Sequence, residues 1–337
     1  MLLARGRTQP ALPVMMSWAR WRHEAGSDAG GCAYCSAVGL CDAGGGSVMR
    51  IRWWGVSAVV GAAMTMASLV GVAAPAVAHP DAPAPAGGAE VVVFGDSYAA
   101  NPDGWMNTLI KNGLPAPAYP RPTGCPQAPD NWPRRLAEQS GKTVSDYSCT
   151  AQTSAQARVK LDQAVADRAM GPGTRDVVAA VGFNDFGPFG AADGVNITDF
   201  AAVENHYVET MRGFVDAVRA VAPAARVTIV GTPAVGAVGG GVCVVNVIPG
   251  HPGGIPVPVE NWEMATQRMQ SRAAAETGAV FLDLRSRSAG HDTCTPVDGQ
   301  RFVSGVVDTT SPAWHMWLHP TDAGSQFIAE QVAGEVV

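Results

Sequence analysis

Between Glu90 and Leu284, five short apolar runs alternate with stretches of helical periodicity, and this alternation narrows the possible folds more than any other feature. The runs are Glu90–Phe94, Lys142–Ser148, Asp176–Val181, Arg226–Val230 and Ala279–Leu284. Their length and near-continuous apolar character suit strands covered on both faces. The spacing predicts helices over Trp132–Gln139, Ser154–Met170, Asp199–Val221, Glu260–Thr277 and Thr321–Ala333. Gly141, Gly171-Pro172-Gly173, Pro223 and Gly278 close the first four. In the second helix, Ser154 suits the N-cap, and Val159, Leu161, Ala164, Val165 and Ala169 are the expected inner positions. Strands separated by helices imply a parallel sheet with helices on both sides, a three-layer α/β/α sandwich. In such a sheet, reactive groups gather on loops at the carboxyl ends of the strands. Two excursions, 234–258 and from about 285 to 318, are long enough to be functional.

The first part of the chain reads differently. From Met49, two arginines precede an apolar run from Trp53 to Ala74, and Pro75-Ala76-Val77-Ala78 presents small residues as a signal peptidase requires. Residues 49–78 are therefore read as a secretory signal peptide and 79–88, rich in Pro and Ala, as a linker. An uncleaved anchor is the alternative, since the run is long enough to span a bilayer. It would be the chain's sole membrane attachment. A signal belongs at an N-terminus, so residues 1–48 are read as an upstream extension outside the native protein. Cys32 and Cys35 within it have C-x-x-C spacing but no second ligand pair, which argues against zinc. Residues 89–337 form the expected folded domain.

Export implies an oxidising compartment, and four cysteines lie after the leader: Cys125, Cys149, Cys243 and Cys294. Two disulfides are expected. Sequence order favours Cys125–Cys149 and Cys243–Cys294, with two other pairings open, and each bridge would contribute about 3 kcal/mol through chain entropy. The net charge of −6 argues against a nucleic-acid binder.

Three motifs fall where the sheet should present reactive groups. Gly95-Asp96-Ser97 follows the first strand. A serine there can offer its hydroxyl to a cleft, although Asp96 or Ser97 could equally be an N-cap. Gly182-Phe183-Asn184-Asp185 follows the third strand. Its Asn amide can donate to a developing oxyanion, although Asn-Asp turns are common. His319, in Leu318-His319-Pro320, precedes the last helix and can relay a proton. His315, at i−4, competes with it. That pair at helical spacing could hint at a metal, but Pro312 and Pro320 bracket it and no third ligand stands out.

The order G-D-S, G-x-N-D and late His resembles the SGNH (GDSL-type) hydrolase family, over roughly Val91 to Val332. The resemblance implies a flavodoxin-like fold and a secreted esterase or lipase with an acyl-enzyme on Ser97. His319 would be the base, and no metal or organic cofactor would be required. It also implies an oxyanion hole from the Ser97 N–H, a glycine N–H and the Asn184 amide. The glycine is missing, and Ala151 best matches its position. The family's aspartate three residues before the histidine is also missing, replaced by Met316. Some secreted actinobacterial-type members orient the histidine with a main-chain carbonyl, which here points to the Met316 carbonyl. Asp308 or Asp292 folding in is the alternative. Trp105, Trp314 and Trp317 are expected to line a substrate cleft or to pack inside. A small-molecule or lipid-like ester is the expected partner, with the chain read as a monomer. A carbohydrate O-deacetylase, or a binding protein with a degenerate site, are the other readings.

Overall fold

The computed structural model describes residues 87–257 and 259–336. The expected extension, signal peptide and most of the linker lie outside the described residues. Of the linker stretch, Gly87 and Gly88 are described, and the Gly173 N–H donates to the Gly87 carbonyl (2.8 Å).

The chain runs β1 (Val91–Gly95), α1 (Ser97–Ala100), α2 (Gly104–Lys111), α3 (Trp132–Ser140), β2 (Val144–Asp146), α4 (Ser154–Ala166), β3 (Asp176–Ala180), α5 (Pro188–Ala192), α6 (Phe200–Val221) and β4 (Arg226–Val230). It continues through β5 (Val242–Asn246), β6 (Gly253–Ile255), α7 (Val259–Thr277), β7 (Val280–Leu282), α8 (Leu284–Arg287), β8 (Val307–Asp308) and α9 (Asp322–Ala333). Five strands form one parallel sheet in the order β2-β1-β3-β4-β7. This is the doubly wound flavodoxin-like order, and its direction of winding reverses between β1 and β3. The crevice such a sheet opens lies beyond the carboxyl ends of those two strands.

Alternation along β1 sorts its side chains into two cores. Val92 and Phe94 pack with Leu161 of α4, Tyr207 and Phe214 of α6 and Met269 of α7. Val91 and Val93 pack on the other face with Trp132 and Leu136 of α3 and Ile328 and Val332 of α9. The three-layer sandwich read from the alternation is therefore present.

Several local readings change. The N-cap of helix α4 lies one residue before the expected one, so Ser154 is already helical. Thr153 is the N-cap, in a capping box with Gln156, because the Ser154 side chain is turned to Asp185 instead. The helix ends at Ala166, and Val159 is 67% exposed while Leu161 and Ala164 are buried. The two long excursions are not merely irregular. They supply a second sheet in the order β6-β5-β8, where β5 pairs antiparallel with β6 and parallel with β8. Cys243 on β5 is bonded to Cys294, and Cys125 to Cys149, the pairing that sequence order favoured. Among the described residues, no helix is long and apolar enough to cross a membrane.

Candidate active site

Ser97 is delivered by the end of β1. Gly95 allows the turn: a Cβ there would lie 2.3 Å from that of Ala99, so helix α1 can follow only a residue without a side chain. Asp96 caps α1, accepting from the Tyr98 N–H (2.8 Å), and its own N–H donates to the Ala180 carbonyl of β3 (3.1 Å). The Asp96 carboxyl is buried, and desolvation pushes its pKa up to about 7; the Tyr98 N–H opposes this and the Asp185 charge adds to it. Ser97 opens the helix, where backbone N–H groups have no partner within the helix.

The neighbouring loops are anchored to the same edge. The Cys149 N–H donates to the Gly95 carbonyl (2.9 Å), which sets the turn that follows β2 beside the nucleophile's strand. Ala151 in that turn has φ +71°, the left-handed conformation that glycine adopts freely. The alanine thus keeps a glycine-type backbone at a steric cost. Asn184 lies in a short 3-10 turn, Phe183–Phe186, after β3. Gly182 enters this turn at φ +140°, which favours glycine. One N–H of the Asn184 amide donates to the Gln152 carbonyl (3.1 Å), and its second N–H remains for another acceptor. Among the described residues, no hydrogen-bond partner is found for the backbone N–H of Ser97 or Ala151. Asp185 accepts from the N–H (3.1 Å) and hydroxyl of Ser154, holding the turn to α4. Burial raises its pKa to about 6 against those two donors.

His319 reaches the nucleophile directly. Its Nε2 and the Ser97 Oγ are 2.8 Å apart, and its Nδ1 and the Trp317 carbonyl oxygen are 2.8 Å apart. A carbonyl only accepts, so Nδ1 carries the proton and Nε2 accepts from the Ser97 hydroxyl. The Met316 expectation is therefore corrected to Trp317. A histidine side chain folding back reaches the carbonyl two residues earlier, as His251 does with Pro249 (2.9 Å), and the Met316 carbonyl is taken by the Ser304 hydroxyl (2.9 Å). Neither aspartate alternative holds His319. Asp308 accepts from Gly305, Thr310 and Ser311 N–H groups and from Asn246, and Asp292 accepts from the Cys294 N–H. Half-buried His319 is desolvated, which lowers its pKa to about 4, with the Trp317 carbonyl pulling the other way. At neutral pH the ring is free to accept a proton.

His315 is engaged elsewhere: its Nε2 lies 2.7 Å from Asp130 Oδ1. Asp130 raises the His315 pKa and is itself lowered by it. Among the described residues, no group of three or more His, Cys, Asp or Glu side chains is placed to hold a metal. The three tryptophans do gather. Trp105, Trp314 and Trp317 line one groove of about 510 Å³ with Val306, His315 and Met316. Trp105 and Trp317 are exposed.

The sequence reading missed the frame that holds this histidine. Buried Ser304 donates its N–H to the His319 carbonyl (3.0 Å). Fully buried Arg301 donates to the Thr295 carbonyl (2.7 Å) and to the hydroxyls of Thr310 and Ser311. Asp308 gathers the turn at 305–311. Polar residues in a long loop carry no periodic signal, so the sequence marked Asp308 only as a candidate acid and did not mark Ser304 or Arg301 at all. Tyr98 was markable only by its place next to Ser97.

Comparison with known proteins adds the following. The model of the GDSL-like lipase/acylhydrolase family matches residues 93–327. Lipase 2 of Streptomyces coelicolor is 26% identical over 307 residues, covering 84% of this chain and 96% of that protein. Phospholipase A1 from Streptomyces albidoflavus NA297 aligns at 19% identity and a TM-score of 0.45, over 74% of this chain and 98% of its own. An extracellular lipase from Streptomyces rimosus aligns at 18% identity and a TM-score of 0.45, over 73% and 99%.

Proposed function

The chain belongs to the GDSL-like lipase/acylhydrolase family, an ester hydrolase family, and on that premise we propose that it is a secreted serine esterase whose nucleophile is Ser97 and whose base is His319. The observation that carries this reading is the 2.8 Å hydrogen bond between the Ser97 hydroxyl and His319 Nε2. The two disulfides support export to an oxidising compartment.

The reaction follows from the tautomer. The Ser97 oxygen attacks the ester carbonyl as Nε2 takes the hydroxyl proton. The imidazolium so formed keeps its Nδ1–H on the Trp317 carbonyl. A neutral acceptor stabilises that cation less than a carboxylate would, but it fixes the ring's orientation. The developing oxyanion is received by the N–H groups of Ser97 and Ala151 and by the free N–H of Asn184. Collapse expels the alcohol, which takes the proton from Nε2. Water then attacks the acyl-enzyme, giving its proton to the same nitrogen, and as the acid leaves the Ser97 oxygen takes that proton back, restoring the starting dyad.

The substrate is a lipid or short-chain ester, with the acyl group in the groove of Trp105, Trp314 and Trp317. The tryptophans, Val306 and Met316 give that groove an apolar surface suited to an acyl chain, beside polar Asp103, Asn107 and Thr108, and its extent falls within the ordinary range for small-molecule sites. Labelling with a fluorophosphonate probe tests the nucleophile. One adduct is expected on Ser97, absent from Ser97→Ala, and an unlabelled wild-type protein would leave only a binding role. Hydrolysis of p-nitrophenyl esters of graded chain length, run beside acetate release from an acetylated polysaccharide, tests the substrate. Preference for the polysaccharide would replace the lipid reading with O-deacetylation.

A further inference from the structure

The residue after the nucleophile ties the two halves of the site together. The Tyr98 side chain crosses to the histidine-bearing loop, where its hydroxyl donates to the Leu318 carbonyl at 2.7 Å. Its ring lies against the His319 imidazole, with centroids 4.8 Å apart and planes tilted by 37°. Its backbone N–H is held by Asp96. One residue therefore grips the nucleophile's helix cap with its main chain and the base's loop with its side chain.

The loop needs such a grip. Leu318, directly before His319, sits at φ +55°, the left-handed region that a branched side chain enters only against steric resistance. Leu318 is also the link between Trp317, whose carbonyl orients the ring, and the ring itself. Relaxation of Leu318 to an ordinary φ would turn the Trp317 carbonyl and His319 relative to each other. Two bonds oppose that relaxation: Tyr98 O–H to the Leu318 carbonyl, and the Leu318 N–H to the Gly305 carbonyl at 3.3 Å. The first is the shorter and better formed. Burial keeps the phenol's pKa well above its ordinary value, so the donor is present at every working pH.

We propose that Tyr98 is a positioning residue for the hydrolytic dyad, holding Leu318 in its left-handed conformation and thereby aiming His319 at Ser97. In a chain with no carboxylate on the histidine, this clamp supplies the rigidity that an acid supplies elsewhere. It rests on the assignment of Ser97 and His319 above.

Tyr98→Phe removes the hydroxyl and keeps the ring. Its kcat on a soluble p-nitrophenyl ester is expected to fall about tenfold, ~1.4 kcal/mol, the scale of one hydrogen bond, with KM unchanged. The rate of fluorophosphonate labelling should fall in parallel. Adding Leu318→Gly, which accepts φ +55° without strain, is expected to recover part of that loss. Tyr147→Phe is the control: it deletes a hydroxyl bonded to Asp167 (3.0 Å), away from the site, and should leave kcat as it is. The clamp is overturned if Tyr98→Phe keeps wild-type kcat, if Leu318→Gly restores nothing, or if Tyr147→Phe loses kcat equally. Failure of the underlying assignment looks different: the wild-type protein itself would not take the label on Ser97.

Discussion

The segment carrying Ser97 and the segment carrying His319 meet across a 2.8 Å hydrogen bond but are built on different principles. Ser97 follows a five-residue strand buried throughout, and its turn is set by main-chain bonds from Asp96 to β3 and from Cys149 to Gly95. His319 ends a loop with little regular structure, where a few main-chain bonds, Ser304 N–H to the His319 carbonyl and Leu318 N–H to the Gly305 carbonyl, are supplemented by side chains: Ser304, Arg301, Asp308 and Tyr98. A sheet edge positions a nucleophile with bonds every sequence can make. A loop can be as well fixed, but only by particular polar residues whose buried groups are all satisfied.

The largest test of this contrast is removal of the base. His319→Ala is expected to lower kcat/KM for a soluble ester by roughly 10⁴-fold or more. A residual rate within tenfold of wild type would move the base elsewhere, with His315 the nearest candidate. On the sheet side, Asn184→Ala should cost about 10²–10³ in kcat, the scale of one oxyanion donor, with little change in KM. A loss confined to KM would assign Asn184 to binding alone.

Stability separates the segments next. Asp308 has a fully buried side chain with several N–H and O–H donors on it. Asp308→Ala strands those donors and should destabilise the protein by about 3 kcal/mol, read by denaturant unfolding. A change below half that size would mean that the loop is held by its main chain after all.

The two segments should also respond to pH with opposite signs. His319 has a folded pKa of about 4 against an ordinary 6.5, so the folded protein binds fewer protons between those values. Its contribution is present above 6.5 and is lost as pH falls through that window. Asp308 acts in the same direction: burial raises its pKa, but the donors around it outweigh burial and leave it below the ordinary 3.8, so its support fades in acid. Asp96 and Asp185 do the reverse. Their raised values, about 7 and about 6, mean stability present below 3.8 and lost as pH rises through 6 to 7. Asp96→Asn removes the fall in stability that Asp96 contributes between pH 3.8 and about 7, so the net rise from His319 between about 4 and 6.5 should steepen; an unchanged curve over that range would remove Asp96 from the account. In the same series, kcat/KM should hold down to about pH 4 and fall below it as His319 takes up a proton.

The smallest effect sharpens the comparison at Ala151, where the sheet-side loop carries strain of its own. Ala151→Gly should stabilise the protein by about 1 kcal/mol without loss of activity, because glycine takes φ +71° freely. Destabilisation would mean that the methyl group packs usefully.

The parallel sheet, the placement of Ser97 and Asn184 at strand ends, the late histidine and the order-favoured cysteine pairs were legible in the sequence, because apolar runs and turn residues report local structure directly. Val159 misled for the same reason: helical spacing permits two neighbouring faces, and packing chose between them. The second sheet was not legible. Its β5 and β8 strands pair Asn246 with Asp308, 62 residues on, with β6, α7, β7 and α8 between them, so their pairing has no local signature. Nor was the carbonyl that orients His319, since a single left-handed residue at Leu318 decides which main-chain oxygen the ring meets. What the sequence determined by itself was which residues stand at the carboxyl edge of the sheet. Only the tertiary structure decided which of them touch, because contacts between loops depend on backbone turns and buried polar bonds that distant residues supply.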